Sequence, residues 1–358
     1  MDRFLIGPPP DPASTIVVGS GLVDRVGELL PPRPSRTQAV VVHQPTVAAV
    51  AGRVAASLAG AGLVVDVVEA PDGEAAKTLG AVGALYRRFN DLRLDRGGLV
   101  AAVGGGALCD AAGFAAATYL RGIEAAYVPT TLLAGVDAAI GGKTGINVEG
   151  KNLVGAFAHP RLVAVDLDVL RGLPARLLAE GHVEALKTGY VGDAGLVDHY
   201  RRRGPEVSLE EVVPRAVAVK AKIVEADFRE GDRRAHLNLG HTVGHAVETA
   251  TGRSHGEAVA VGLVAAAAAS AKVTGFDWVD DVRRILEGLG MPTSAPDADP
   301  RRVLELMGLD KKRSRGAWRM VLLEEVGVPR VVDVDDATVR AALDAVGIAI
   351  DDEEPRIR

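Results

Sequence analysis

Two hydrophobic periods alternate along the first half of the chain. Short runs rich in Val and Ala at 15–19, 39–43, 63–68, 99–103, 125–129 and 162–166 are apolar almost without interruption, as in strands covered on both faces. Between several of them, 45–61, 74–89 and 107–119 read as helices. This alternation predicts a doubly wound, mostly parallel sheet. Beyond about residue 175 the pattern changes. There 175–190, 209–227, 232–249 and 256–273 read as helices, the runs near Met320 and Val331 as a small hairpin, and 336–346 as a last helix before a charged tail. A chain of 358 residues exceeds one ordinary core. The expected organisation is an α/β N-terminal domain over 1–175 and a mainly α-helical C-terminal domain over 176–358.

Aromatic residues make up only 4 % of the chain, so the core must rest on small aliphatic side chains, which suits helices packed closely on a parallel sheet. A net charge of −6 argues against a general nucleic-acid binder, because a phosphate backbone demands a basic surface. Cys109 is the only cysteine, which excludes an intrachain disulfide and suits a reducing cytoplasm. The proline-rich start has no apolar run like that of a signal peptide. The longest apolar stretch, 258–269, is interrupted by Gly262 and too short to span a membrane. Neither nucleic acid nor membrane is an expected partner.

Candidate chemistry lies in four places. Gly104, Gly105 and Gly106 follow a predicted strand and open a helix that continues through Asp110. Such a turn lets backbone approach a phosphate and offers free N–H donors, although a plain strand-to-helix turn has the same look. Asp72, Gly73 and Glu74 leave the same choice between simple turn and cofactor-contacting loop. The glycine-rich stretch 137–152 carries Asp137, Lys143, Lys151 and Asn152, a set suited to a phosphate or polar sugar. Gly141-Gly142-Lys143-Thr144 lacks the earlier glycine of a P-loop, which excludes a Walker nucleotide site. Arg234, Asn238, His241 and His245 are spaced to share one face of a single predicted helix. Glu184 stands three residues before Lys187, and His255 introduces another helix. Glu184, His241 and His255 offer one carboxylate and two imidazoles from separate elements, the donor set of an open three-ligand zinc site. His43, His159, His182, His199 and His236 show no such pattern and read as structural.

With these residues in view, the chain resembles the 3-dehydroquinate synthase family of sugar phosphate cyclases. The resemblance is carried by 104–121, by 128–157, by Glu184–Lys187, by 237–248 (LNLGHTVGHAVE), by His255–Glu257 and by Asp310-Lys311-Lys312. It implies a dehydroquinate synthase-like fold with a Rossmann-like first domain, NAD, one divalent metal (Zn or Co) and a phosphorylated sugar acid as substrate. The family's reaction oxidises a ring hydroxyl transiently, eliminates phosphate, returns the hydride and closes a carbocycle by an aldol step.

Carried over by position, the metal ligands are Glu184, His241 and His255. NAD falls to Asp72, Gly73, Glu74, Lys77, Gly104, Gly105, Gly106, Asp110, Thr130 and Thr131, helped by Lys143, Lys151 and Val169, Leu170, Arg171 and Gly172. Substrate falls to Lys187, Lys220, Arg234 and Asn238, with Lys143, Lys151, Asn152, His245 and Lys312 on the phosphate side and Arg121 reaching in from the second copy of a homodimer. Asp137, Lys143, Lys187, Asn238 and His245 are the expected catalytic positions. Departures from the family pattern are His182 and Val183 before Glu184, Thr188 after Lys187, Cys109 for glycine, Phe228 for an acidic residue, and a short 147–151 loop and a short stretch from His241 to His255. They make an aminodehydroquinate synthase of secondary metabolism the alternative. NAD- and metal-dependent polyol dehydrogenases share the two-domain plan, but the lysine-rich phosphate set argues for the cyclase.

Overall fold

The protein is described by a computed structural model that covers residues 13–309, 313–314 and 317–350. The chain divides into two compact units, residues 1–170 and 171–358.

The first unit is built on a six-stranded sheet of β1 (Thr15–Gly19), β2 (Gln38–His43), β3 (Val64–Glu69), β4 (Leu99–Gly104), β5 (Glu124–Pro129) and β8 (Leu162–Asp166). The order is β1-β8-β5-β4-β2-β3, and the neighbouring pairs are parallel. β4 and β8 are buried along their whole length, as their unbroken apolar runs require. β3 differs from the expected two-sided burial: it is an edge strand, and Val64 and Val67 face outward. From β2 the chain winds outward to β3, then crosses back to β4 and on through β5 to β8. The winding therefore reverses between β2 and β4, and the carboxyl ends of strands at such a reversal are where open α/β sheets bind ligands.

Two features of this unit escaped the sequence pattern. The predicted helix over 74–89 is a 3₁₀ turn, Gly73–Lys77, followed by a separate helix, Leu79–Asp91, whose first turn is capped by the Thr78 hydroxyl at 3.1 Å from the Ala81 N–H. The glycine-rich stretch holds an antiparallel hairpin, β6 (Lys143–Ile146) with β7 (Val154–Phe157). Its glycines erase the period-two signal that would have announced it.

The second unit is mainly helical, with helices Ala175–Gly192, Ala194–Arg203, Leu209–Ala226, His241–Thr251, His255–Val273, Val279–Gly288, Pro300–Leu309 and Asp336–Asp344. The expected hairpin is present as antiparallel β10 (Ala317–Glu325) and β11 (Val328–Val334), with β9 (Arg313–Ser314) beside β10. The apolar run at 258–269 belongs to the longer helix His255–Val273, which has the length and apolarity to cross a membrane, and 72 % of its apolar window is buried inside the protein. It is the central core helix of this unit.

The single helix expected over 232–249 does not form. A 3₁₀ turn, Arg233–Asn238, ends before Gly240, which adopts a left-handed conformation (φ 79°), and a new helix starts at His241. The cause is a close approach of backbones. A Cβ on Gly262 would lie 2.0 Å from the Gly240 carbonyl oxygen, so the core helix passes directly against the break. The correction matters for function: Arg234 and Asn238 do not share a helix face with His241 and His245. Gly262→Ala should force these backbones apart at about 1–3 kcal/mol, lowering Tm by roughly 2–4 °C per kcal/mol. Thermal denaturation followed by circular dichroism tests this, and an unchanged Tm would refute the packing argument.

Candidate active site

In the second unit, Glu184 sits on Ala175–Gly192 with its side chain fully buried. His241 opens the helix that follows Gly240, and His255 is the first residue of the core helix. A capping box fixes that start: the Ser254 hydroxyl accepts from the Glu257 N–H at 3.4 Å, and Glu257 accepts from the Ser254 N–H at 3.0 Å. One ligand atom from each of Glu184, His241 and His255 lies within 4.8 Å of the others. His241 Nε2 is 3.7 Å and His255 Nε2 is 3.5 Å from Glu184 Oε1. The opposite nitrogens are engaged: His241 Nδ1 is 3.1 Å from the Leu239 carbonyl oxygen, and His255 Nδ1 is 3.1 Å from Glu248 Oε2. Both rings are thereby turned with Nε2 toward the carboxylate, the arrangement in which imidazoles bind metals.

Burial opposes charge on Glu184, but Lys187 and the two imidazoles outweigh it and hold the carboxyl well below its usual range. Lys187 Nζ pairs with Glu184 Oε2 and is itself buried, one turn along the same helix. Burial, reinforced by Lys187, keeps His241 neutral by pushing it well below the ordinary imidazole value. For His255 burial also acts downward, yet the carboxylates of Glu184 and Glu248 prevail and raise it to about 10. His245 is exposed, with its ring 4.9 Å from that of His241 and 5.8 Å from that of His255. Lys220 and Arg234 are buried, and the Arg234 guanidinium donates to the Phe228 carbonyl at 2.6 Å. Asn238 Nδ2 is 3.4 Å from Glu230 Oε1. Arg171 pairs with Glu210.

In the first unit, the glycine turn lies at the winding reversal. The Gly105 N–H donates to Gln44 Oε1 at 3.1 Å, and Gln44 directly follows β2. A Cβ on Gly104 would stand 2.8 Å from that same oxygen. Thr130 N–H meets the Gly104 carbonyl at 2.9 Å, and the Thr131 hydroxyl accepts from Ala134 N–H at 3.2 Å. Lys77 is buried, and its Nζ contacts Asp110 Oδ2 at 2.6 Å and Asn152 Oδ1 at 2.5 Å. Asn147 ties the loop before β7 to the 3₁₀ turn: its Nδ2 donates to Glu74 at 2.8 Å, and its Oδ1 accepts from Asn152 N–H at 3.0 Å. Asp72 caps that turn through Gly73 N–H at 3.1 Å. Lys143, Lys151 and Arg121 are exposed, and Asp137 lies in the π-helical turn Ala134–Ala138. Leu170 is fully buried. Lys312 lies outside the described residues. Gln44, Asn147 and Glu248 were not singled out from the sequence. Only Gln44 had a local signal, a polar residue at the carboxyl end of a buried strand.

The sequence profile described as 3-dehydroquinate synthase N-terminal matches residues 67–180, and that described as 3-dehydroquinate synthase C-terminal matches 181–313. The 3-dehydroquinate synthase of Bordetella pertussis (strain Tohama I) is 42 % identical over 343 residues, covering 92 % of this chain and 95 % of that one. The chain belongs to the 3-dehydroquinate synthase family. It is accordingly an enzyme of the lyase class. Two solved sugar phosphate cyclases share its structure. A 2-deoxy-scyllo-inosose synthase complexed with carbaglucose-6-phosphate, NAD+ and Co2+ has a TM-score of 0.83 at 27 % identity, covering 94 % of this chain and 96 % of that one. The 2-epi-5-epi-valiolone synthase of Streptomyces hygroscopicus subsp. jinggangensis 5008, with NAD+ and Zn2+ bound, has a TM-score of 0.82 at 28 % identity, covering 96 % and 98 %.

The departures from the 3-dehydroquinate synthase pattern have local explanations. His182 Nδ1 meets the buried Tyr200 hydroxyl at 2.9 Å, and burial lowers its pKa to about 4, so it is a neutral core residue. The Thr188 hydroxyl donates to the Glu184 carbonyl at 2.9 Å. Cys109 is buried, which pushes its thiol up and leaves it inert.

The donor set fits a divalent metal of the zinc or cobalt kind. Lys187 holds Glu184 Oε2, while Oε1 is buried without a hydrogen bond and has the two oriented Nε2 atoms facing it. Titration of metal-stripped protein with Co2+ should saturate at one ion per chain with a visible absorption band. His255→Ala, which removes one of the three candidate ligands, should abolish that band, and a variant binding Co2+ as tightly as the wild type would refute the site.

Proposed function

We propose that the chain converts 3-deoxy-D-arabino-heptulosonate 7-phosphate into 3-dehydroquinate and phosphate by transient oxidation, phosphate elimination, reduction and intramolecular aldol closure. The observation that carries this is the set of a buried carboxylate, a buried imidazole and a half-buried one on the same unit as the buried cations Lys187, Lys220 and Arg234. A neutral polyol would not need those cations. The curated relatives share this activity by name, which gives no support to the amino-substrate alternative.

When bound, NAD and the metal would supply hydride transfer and Lewis acidity. Glu184, His241 and His255 would hold the metal. The glycine turn at Gly104–Gly106, the carboxyl end of β5 at Thr130 and Thr131, and the 3₁₀ turn from Asp72 to Lys77 would hold NAD, with Lys143, Lys151 and the Val169–Gly172 stretch beside them. Lys77 would steady this region by joining Asp110 to Asn152. Arg234 and Lys220 would grip the substrate carboxylate, since a guanidinium can offer two parallel hydrogen bonds. Lys187, Asp137 and Asn238 would orient the ring. His245, whose ring is exposed beside both candidate ligand imidazoles, would move a proton, and Lys143, Asn152 and Lys312 would supply charge to the phosphate. Arg121 follows Leu120 through two left-handed residues (φ 67° and 50°), a strained presentation that suits a role toward a second copy in a homodimer. The reducing cytoplasm is the setting that matches a free Cys109.

Two outcomes test the reading. Incubation with the sugar acid phosphate, a trace of NAD and metal should release phosphate in many-fold excess over NAD without lasting absorbance of the reduced cofactor. Stoichiometric NADH would place the protein among dehydrogenases instead. Arg234→Ala should lose roughly a hundredfold in kcat/KM, as expected when one partner of a desolvated charge pair is truncated. Its metal content and NAD affinity should stay near wild type, and Arg234→Lys should recover only part of the loss. Equal turnover of a sugar phosphate without a carboxylate would defeat the assignment.

A further inference from the structure

The helix Leu209–Ala226 ends at Asp227, and the Asp227 side chain turns onto the backbone that follows. Oδ1 accepts from the Gly231 N–H at 2.8 Å, while Oδ2 accepts from the Asp232 N–H at 2.7 Å and the Arg234 N–H at 3.0 Å. One carboxylate thus gathers the whole bend between Ala226 and Arg234. Within that bend Glu230 is held at φ 60°, a conformation costly for a residue with a Cβ unless its surroundings enforce it. The next element, the 3₁₀ turn Arg233–Asn238, receives no cap from its own N-cap residue, Asp232. Asp227 fills that office from outside by accepting the Arg234 N–H. The bend then holds its own arginine, because the Arg234 guanidinium donates to Phe228, the residue directly after Asp227. The backbone N–H groups of Arg234, Asp232 and Gly231 keep the Asp227 carboxyl down at about 2, so the fastening stays charged across the neutral range.

We infer that Asp227 is a positioning residue for the reaction: it folds the 228–234 bend so that Arg234 is presented to the substrate's anionic group. This rests on the assignment of Arg234 to that group. Without Asp227, three N–H donors lose their acceptor and the Phe228 carbonyl loses its fixed place, so the guanidinium drifts while the fold of the unit persists. A misplacement of about 1 Å in a positioning group can cost on the order of a hundredfold in rate.

The test is a double-mutant cycle in the metal-loaded enzyme, with the heptulosonate phosphate as substrate. Asp227→Ala should lower kcat/KM tenfold to a hundredfold, mostly through KM, with bound metal, NAD affinity and Tm changed little. Asp227→Asn, which keeps one acceptor oxygen, should recover part of the loss and guards against a variant that fails to fold. In the Arg234→Ala background, Asp227→Ala should cost less than about threefold, because two residues acting as one unit are not additive. Equal losses in both backgrounds, or a fall in Tm with kcat/KM intact, would overturn the positioning role. If Arg234→Ala alone left kcat/KM unchanged, the assignment of Arg234 would be what had failed.

Discussion

A carboxylate with no solvent exposure governs the second unit. Removing Glu184 from water costs several kcal/mol unless opposite charge and donors surround it. Lys187 answers one oxygen from the next turn of the same helix, and His241 and His255 face the other. The two imidazoles must then be brought in by elements of their own. The break at Gly240 delivers His241 at the start of a fresh helix, and the Ser254–Glu257 capping box delivers His255 at the start of another. The Gly240–Gly262 approach lets the two helices close. The helical packing of this unit is thus arranged around a charge that would be untenable alone.

The first unit manages its polar groups by a related rule at the carboxyl ends of its strands. Gln44 and the glycine turn meet where the winding reverses, and the absence of a side chain at Gly104 is what admits the Gln44 oxygen. Lys77 is buried only because Asp110 and Asn152 receive it. Asn147 and Glu74 then join the loop before β7 to the 3₁₀ turn, so residues far apart in sequence form one polar layer.

Much of this is legible in the sequence. The buried strands were readable because burial on both faces leaves unbroken Val and Ala runs, and β3 misled only because an edge strand with outward Val64 and Val67 has the same composition. The metal donor types were readable because a carboxylate and two imidazoles have few common structural uses together. The break at Gly240 was hidden by a coincidence of spacing: Arg234, Asn238, His241 and His245 keep helical intervals across a turn that is not helical. Hairpin β6–β7 was hidden because glycine has no side chain to alternate. Asp227, Glu248 and Asn147 carry no local signal at all, since their roles depend on partners that only folding supplies.

The family departures bear on substrate choice through where their side chains go. His182 is spent on Tyr200, Thr188 on the Glu184 carbonyl, and Cys109 lies sealed in the first unit's interior. Phe228 contributes its carbonyl to Arg234, a contact any residue could make. Phe228 removes an acidic side chain from the bend that carries Arg234, but none of these four departures changes Glu184, Lys187, Lys220, Arg234, His241 or His255 themselves. Substrate choice within this family must be written in groups that reach the ligand. The departures therefore give no physical reason to expect an altered substrate, and they read instead as a repacked support for an unaltered donor set.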